Sequence, residues 1–256
     1  MVDSLEFKDE GKFKYIETDV PGTPLILLHG LMGALSNFEG LINYFGTDQK
    51  IVFPLLPIFD MPLKDVSIEG LVDFIEEFIE YKGYPEVHLL GNSLGGHLAQ
   101  LYALKHPERI VTLTLTGSSG LFENAMGSTF PKRGNYEYIK AKAESVFYDP
   151  SVATKELVDE VFDIVTDLGK AIRVVKTAKS AVRHNLEDKL KDLKTPVLLV
   201  WGHDDEVTPL WVGEKFHELL PNSELVIIDK CGHAPMMEKP ELFNIELSKF
   251  LQKHKS

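Results

Sequence analysis

Along the chain the spacing of apolar residues changes several times, and each change marks an element. Residues 7–19 alternate apolar and polar positions around Glu10-Gly11-Lys12, the pattern of an antiparallel hairpin at a sheet edge. Leu25-Ile26-Leu27-Leu28 is instead an unbroken apolar run, as expected of a strand covered on both faces. Ile51-Val52-Phe53 opens another strand and runs into Pro54, Pro57 and Pro62, which force a loop. Over residues 67–81 the period lengthens: Ile68, Leu71, Val72, Ile75, Phe78 and Ile79 recur at helical spacing with acids opposite, predicting an amphipathic crossover helix. Val87, Leu89 and Leu90 read as a further buried strand. After Gly91-Asn92-Ser93-Leu94-Gly95, the residues Leu94, Leu98, Leu101, Tyr102 and Leu104 return to helical spacing. His106-Pro107 stops that helix, and the β-branched run at 110–115 is the next strand.

Across residues 118–195 the strand signal vanishes, and helical patterns rich in Lys, Glu and Asp alternate with loops. The rhythm resumes with a strand at 196–202, a helix at 210–220, a strand at 225–228 and a helix at 241–252. The chain therefore reads as an α/β core made of residues 1–117 and 196–256, interrupted by a helical insertion at 118–195. Strands joined by crossover helices imply a mainly parallel sheet with helices on both faces, and such sheets bind ligands beyond the carboxyl ends of their strands. His29-Gly30, Ser93 and Asp204-Asp205 all follow strands, so they are expected to share one rim, which His233 joins after the last strand.

Composition narrows the class. A chain of 256 residues with 44% hydrophobic and 26% charged residues is that of one globular α/β domain, neither disordered nor membrane-embedded. The net charge of −12 argues against nucleic-acid partners, whose phosphates it would repel. No apolar run reaches the length of a membrane span, and the acidic start, Met1-Val2-Asp3-Ser4-Leu5-Glu6, lacks an apolar core, so a cytoplasmic protein is expected. The single cysteine, Cys231, rules out an internal disulfide and reads as a packed, inert thiol.

Gly-x-Ser-x-Gly between a strand and a helix is a turn in which the residues flanking the serine nearly touch, so Gly91 and Gly95 are needed where a Cβ would collide. Ser93 then stands on a strained backbone beside a helix N-terminus. A serine hydroxyl needs a base, and the base needs an orienting acid. Of nine histidines, His233 in Cys231-Gly232-His233-Ala234-Pro235 is the one read as that base; His88, His106, His184, His217 and His254 read as ordinary structural residues. For the acid, Asp204, Asp205 and Glu206 stand in a row, with Asp205 preferred and Asp204 as the alternative. The chain order is then Ser93, Asp205, His233. The N–H of Leu94 is a ready oxyanion donor, and a second is expected from the loop after Leu28. A metal site is not expected, since His217-Glu218 has no second histidine at helical spacing.

These motifs together resemble the α/β-hydrolase superfamily, in its Ser-His-Asp branch. His29-Gly30-Leu31-Met32-Gly33, Gly91-Asn92-Ser93-Leu94-Gly95-Gly96, Trp201-Gly202-His203-Asp204-Asp205 and Gly232-His233 match its oxyanion-loop, elbow, acid and histidine motifs in order. The resemblance implies a mostly parallel eight-stranded sheet with a helical cap over the site. It selects Asp205 as the acid and Leu31 as the second oxyanion N–H, and it implies no metal and no organic cofactor. The sequence departs from the family after the fourth strand, where relatives carry an Asp-x-x-Gly-x-Gly turn and this chain has Leu55-Leu56-Pro57-Ile58-Phe59-Asp60-Met61-Pro62.

The expected activity is hydrolysis of a small carboxylic ester through an acyl-enzyme, with Phe122, Met126, Phe130, Phe147 and Phe162 as candidate walls of an apolar acyl pocket. Gly-Asn-Ser-x-Gly also resembles the elbow of carbon–carbon bond hydrolases of ring-cleavage products. Those bind an acidic dienone, which would call on Arg133, Arg173 or Arg183, and they usually carry an aromatic where this chain has Ala234. A non-catalytic small-molecule receptor on the same fold is the third reading.

Overall fold

The computed structural model describes residues 5–122 and 134–254. In chain order its strands are β1 (Lys8–Glu10), β2 (Phe13–Glu17), β3 (Leu25–Leu28), β4 (Ile51–Pro54), β5 (Val87–Asn92), β6 (Ile110–Thr116), β7 (Val197–Gly202) and β8 (Ser223–Ile228). They form one sheet in the order β1-β2-β4-β3-β5-β6-β7-β8. The N-terminal hairpin is antiparallel, with Lys8 opposite Tyr15, and β2 joins β4 antiparallel. Every other pairing is parallel. The unbroken apolar runs of β3, β4 and β7 are buried along their whole length, as strands covered on both faces must be.

The helices are α1 (Glu39–Phe45), α2 (Ile68–Lys82), α3 (Leu94–Lys105), α4 (Tyr136–Glu144), α5 (Lys155–Thr166), α6 (Leu168–Arg183), α7 (Leu210–Leu219), α8 (Pro235–Glu238) and α9 (Pro240–Lys253). They divide between two cores. On one face Ile75 and Phe78 of α2, Leu98 and Tyr102 of α3 and Phe216 of α7 pack on the sheet. On the other, Leu41 and Ile42 of α1 pack with Phe243, Leu247 and Phe250 of α9. The crossover helix α2 is bounded as its sequence asks: the Ser67 hydroxyl accepts the Gly70 N–H (3.1 Å), and Gly83 ends the helix at φ 64°. Between β6 and β7 the described residues form α4, α5 and α6 and no strand. No described helix is long and apolar enough to cross a membrane.

Three histidines are sealed into this framework: His29, His88 and His97 are 1%, 6% and 0% exposed. Burial lowers each of them to a pKa of about 4. The unfolded chain binds protons on these rings near pH 6.5 while the folded chain stays neutral to about pH 4, so folding stability falls as pH drops through that window. Each ring contributes up to about 1.4 kcal/mol per pH unit. Urea unfolding between pH 7.5 and 4.5 is expected to show a flat plateau above pH 7 and a steepening loss below 6.5. A flat profile to pH 4.5 would contradict neutral burial.

Candidate active site

The carboxyl ends of β3, β5 and β7 carry the three loops that the sequence motifs occupy, and the loop after β8 brings His233 to them. Ser93 links β5 to α3 at φ 54° and ψ −119°, one of two non-glycine residues with positive φ among the described residues. That conformation is held by the serine's own backbone. Its N–H donates to Thr116 O (3.1 Å), and its carbonyl accepts the N–H groups of Gly96, His97 and Ser119 at 3.1–3.2 Å. The two glycines are needed for close approach. A Cβ on Gly91 would lie 2.4 Å from the Gly95 carbonyl, and one on Gly95 would lie 2.0 Å from Leu28 O in β3. Gly95→Ala is therefore expected to cost more than about 4 kcal/mol of stability, because backbone on both sides blocks relief. Thermal denaturation checks this, and a variant melting within a few degrees of wild type would refute it.

His233 and Asp205 meet directly. His233 Nδ1 lies 2.9 Å from Asp205 Oδ2, with the two side chains 8% and 0% exposed. A carboxylate only accepts, so Nδ1 carries the proton and Nε2 keeps its lone pair. The carboxylate is held from four directions: Oδ1 accepts the N–H groups of Val207 and Thr208 (both 2.8 Å), and Oδ2 accepts the Thr208 hydroxyl (2.9 Å) as well as the imidazole. The buried Trp201 indole in turn donates to Thr208 O (2.7 Å), tying the acid loop to β7. Asp204, the alternative acid, lies beside His203 at 3.6 Å, with its side chain 37% exposed.

The histidine's backbone is fixed as closely as its ring. Asn92, within the elbow, donates its amide to both Thr116 O (3.0 Å) and His233 O (3.2 Å). His233 N–H donates to Val146 O (2.9 Å). Gly117, at φ 50°, clears room for the ring, since a Cβ there would lie 2.8 Å from His233 Nδ1. Sequence reasoning missed Asn92, Gly117 and Thr208; only the Asp-x-x-Thr spacing, in which a hydroxyl three residues on can return to the carboxylate, carried a local signal.

The loop after β3 faces the serine from the other side. It turns through a Gly33 N–H to Gly30 O bond (3.0 Å), and a Cβ on Gly30 would sit 3.4 Å from Ser93 Cβ. His29 anchors it: the ring accepts the Leu56 N–H at Nε2 (3.0 Å) and donates from Nδ1 to Gly30 O (2.8 Å), as its neutral form requires. The proline-rich loop that departs from the family pattern is thus fastened to the loop after β3 by one imidazole. Leu31 and Leu94 line the same cavity, and Leu94, first residue of α3, owns an N–H that no carbonyl within the helix can satisfy.

That cavity, of about 160 Å³, is lined by Ser93, His233, Leu31 and Leu94 at its floor. Its walls are apolar: Ile139 and Ala143 of α4, Val146 and Phe147 just beyond it, Leu157 and Val161 of α5, Ala178 and Ala181 of α6. Lys142 and Glu160 bring charge to the lining. Of the aromatics expected there, Phe147 lines the cavity. Phe162 does not: it packs edge-on against Tyr136 (5.2 Å). Phe122 does not either, being 43% exposed against Trp211 (5.1 Å). Met126 and Phe130 lie outside the described residues. Their apolar side chains marked them as candidates, but the sequence does not say which of them meets the cavity.

Other titratable groups have local duties. His106 pairs with Glu76 (2.9 Å), His184 with Glu69, His88 with the Thr112 hydroxyl (2.7 Å) and His217 with Ser223 (2.9 Å), and none of the four lines the cavity that Ser93 lines. Cys231 is fully buried, and burial together with the Glu238 carboxylate pushes its thiol up to about 12, which leaves it unreactive. No group of three metal-ligating side chains occurs among the described residues.

Comparison with known proteins agrees with this architecture. A metagenomic alpha/beta hydrolase enzyme, MGS-MChE2, from sediments of the lagoon of Mar Chica, Morocco, is 42% identical in sequence. It superposes with a TM-score of 0.80 over 97% of this chain and 98% of its own. A 2-hydroxy-6-oxononadienedioate/2-hydroxy-6-oxononatrienedioate hydrolase of Paraburkholderia phymatum is 28% identical over 98% of this chain and 94% of its length. Lipase 3 of Moraxella sp. is 28% identical over 93% of this chain and 80% of its length. Another relative, 27% identical over 91% of this chain, is longer, and the chain spans 64% of it. The model of the alpha/beta hydrolase family matches residues 25–246, from β3 through the elbow, the acid loop and His233 into α9. With the sheet order, the strained serine and the family match in agreement, the chain belongs to the alpha/beta hydrolase family.

Proposed function

We propose that this hydrolase cleaves small carboxylic esters, with Ser93 as nucleophile, His233 as general base and acid, and Asp205 as the group that orients the imidazole. The observation that carries the reading is the buried His233–Asp205 contact of 2.9 Å, opening on a cavity that Ser93 also lines. Ser93 Oγ attacks the ester carbon as His233 Nε2 takes its proton; the imidazolium then protonates the departing alcohol, leaving an acyl-serine. Water attacks that acyl group with the same histidine as base. The oxyanion of each tetrahedral intermediate is held by the N–H groups of Leu94 and Leu31, each contributing roughly 3 kcal/mol.

The substrate reading follows from the walls. An apolar cavity of about 160 Å³, a volume of the order that holds a benzene ring, suits a short acyl or aryl group. The inserted segment 118–195 acts as a cap, and its described helices α4, α5 and α6 shape this space. A ring-cleavage-product hydrolase needs a cation for the substrate carboxylate. Arg173 is committed to Met61 O (3.0 Å) and Gly169 O (3.1 Å), neither it nor Arg183 lines the cavity, and Arg133 lies outside the described residues. Lys142 does line the cavity, but Glu160 lines it too, so the lining offers a substrate carboxylate no excess of positive charge. The ester reading is accordingly preferred. The chain has one cysteine and so no internal disulfide, which suits a reducing compartment, and the cytoplasm is the proposed location.

Kinetics on p-nitrophenyl esters of increasing acyl length test the reading. Saturable hydrolysis that peaks at short acyl groups is expected. No hydrolysis of any ester, alongside cleavage of a 2-hydroxy-6-oxo-dienoate, would replace it with the carbon–carbon reading.

A further inference from the structure

Glu238, in the short helix α8, is a buried carboxylate to which the acyl-transfer chemistry assigns no part; it is 9% exposed. Its two oxygens serve two different segments. Oε2 accepts the N–H of Gly232 (2.7 Å), the residue before His233. Oε1 accepts the N–H of Asp149 (2.7 Å), which lies 89 positions away in the turn that follows α4. The same two segments touch again without it. His233 N–H donates to Val146 O (2.9 Å), and Gly232 lies so flat against the turn that a Cβ would come within 2.5 Å of Val146 O and 2.9 Å of Phe147 Cα. Val146 and Phe147 are walls of the cavity. One charged group therefore fastens the loop that holds the imidazole to the wall that would hold the acyl group.

We propose that Glu238 is a positioning residue that makes the His233 loop and the Val146–Phe147 wall a single rigid unit, so that base placement and acyl-chain selectivity depend on one carboxylate. The proposal rests on the serine-hydrolase reading. Both Glu238 bonds run from a backbone N–H to a carboxylate, the charge-assisted kind; the one from Gly232 is buried and the one from Asp149 half-buried. A carboxylate can accept at each end; an amide of the same shape cannot. In Glu238→Gln one end becomes an NH2 group facing a backbone N–H, donor against donor, and one of the two segments must move away.

The test compares wild type, E238Q and E238D for kcat and KM on p-nitrophenyl esters of graded chain length, together with melting temperature. In E238Q, kcat is expected to fall about 10- to 100-fold, the scale of a sub-ångström to one-ångström misplacement of a reacting group. The chain-length optimum is expected to broaden, because the wall has lost its tie. E238D keeps the charge but is one methylene too short to reach both N–H groups, so a smaller fall in kcat with the same broadening is expected. Folded E238Q with kcat within about twofold of wild type and an unchanged chain-length optimum would overturn the proposal, even if its melting temperature fell. Should E238Q not fold, E238D decides: an unchanged optimum overturns the proposal, a broadened one supports it. Fluorophosphonate labelling of Ser93 in wild type tests the hydrolase reading separately, so failure of one is not mistaken for failure of the other.

Discussion

Ser93→Ala is expected to lower kcat on p-nitrophenyl esters by on the order of 10⁴- to 10⁶-fold, the scale seen when the nucleophile of such a unit is removed. The size of the effect follows from what remains. His233 and Asp205 would keep their 2.9 Å contact and the N–H groups proposed to hold the oxyanion would stay in place, but no atom would be left to form the acyl intermediate. Alanine retains the Cβ that already tolerates φ 54°, so the strain at the elbow is unchanged and stability should move by less than about 1 kcal/mol. A large kinetic loss with an unmoved melting temperature is the signature. Equal losses of both would instead mark Ser93 as a structural residue of the turn.

Asp205→Asn is expected to cost about 10⁴-fold in kcat through the tautomer of a different residue. Oδ1 can continue to accept the Val207 and Thr208 N–H groups, which fixes the new amide with its NH2 toward His233 Nδ1. Nδ1 must then accept, the proton moves to Nε2, and the lone pair that would receive the Ser93 proton is gone. Asp204→Asn changes the neighbouring charge by the same amount but touches only the exposed His203 side, and less than about a twofold change is expected there. Parallel kinetics on the two variants separate an oriented acid from a general electrostatic effect: similar losses in both would contradict the assignment of Asp205.

Much of the framework was legible because each strand carries its burial in its own residues. Leu25-Ile26-Leu27-Leu28 and Val197-Leu198-Leu199-Val200 are apolar at every position, and both are central strands covered on two faces. α1 was not legible: seven residues with Gly40 in the first turn give too few repeats for a helical period, and the helix exists because Leu41, Ile42 and Phe45 bury against α9. The serine and histidine were legible because glycines mark the turns they need. Among Asp204, Asp205 and Glu206 nothing local points inward; what distinguishes Asp205 is the convergence of two backbone N–H groups, a hydroxyl and an imidazole on its carboxylate. Glu238 was invisible for a similar reason, since its partners include an N–H 89 positions away. Phe122 and Phe162 show the limit of residue type alone, which marks a side chain as apolar without saying whether it meets the cavity or a neighbouring ring.

Treatment of the wild-type chain with a fluorophosphonate, followed by intact mass and peptide mapping, tests the central claim that Ser93, His233 and Asp205 act as one unit. A single adduct on Ser93 is expected, forming at least about 10²-fold more slowly in Asp205→Asn. An unlabelled protein, or an adduct on any other residue, would contradict it.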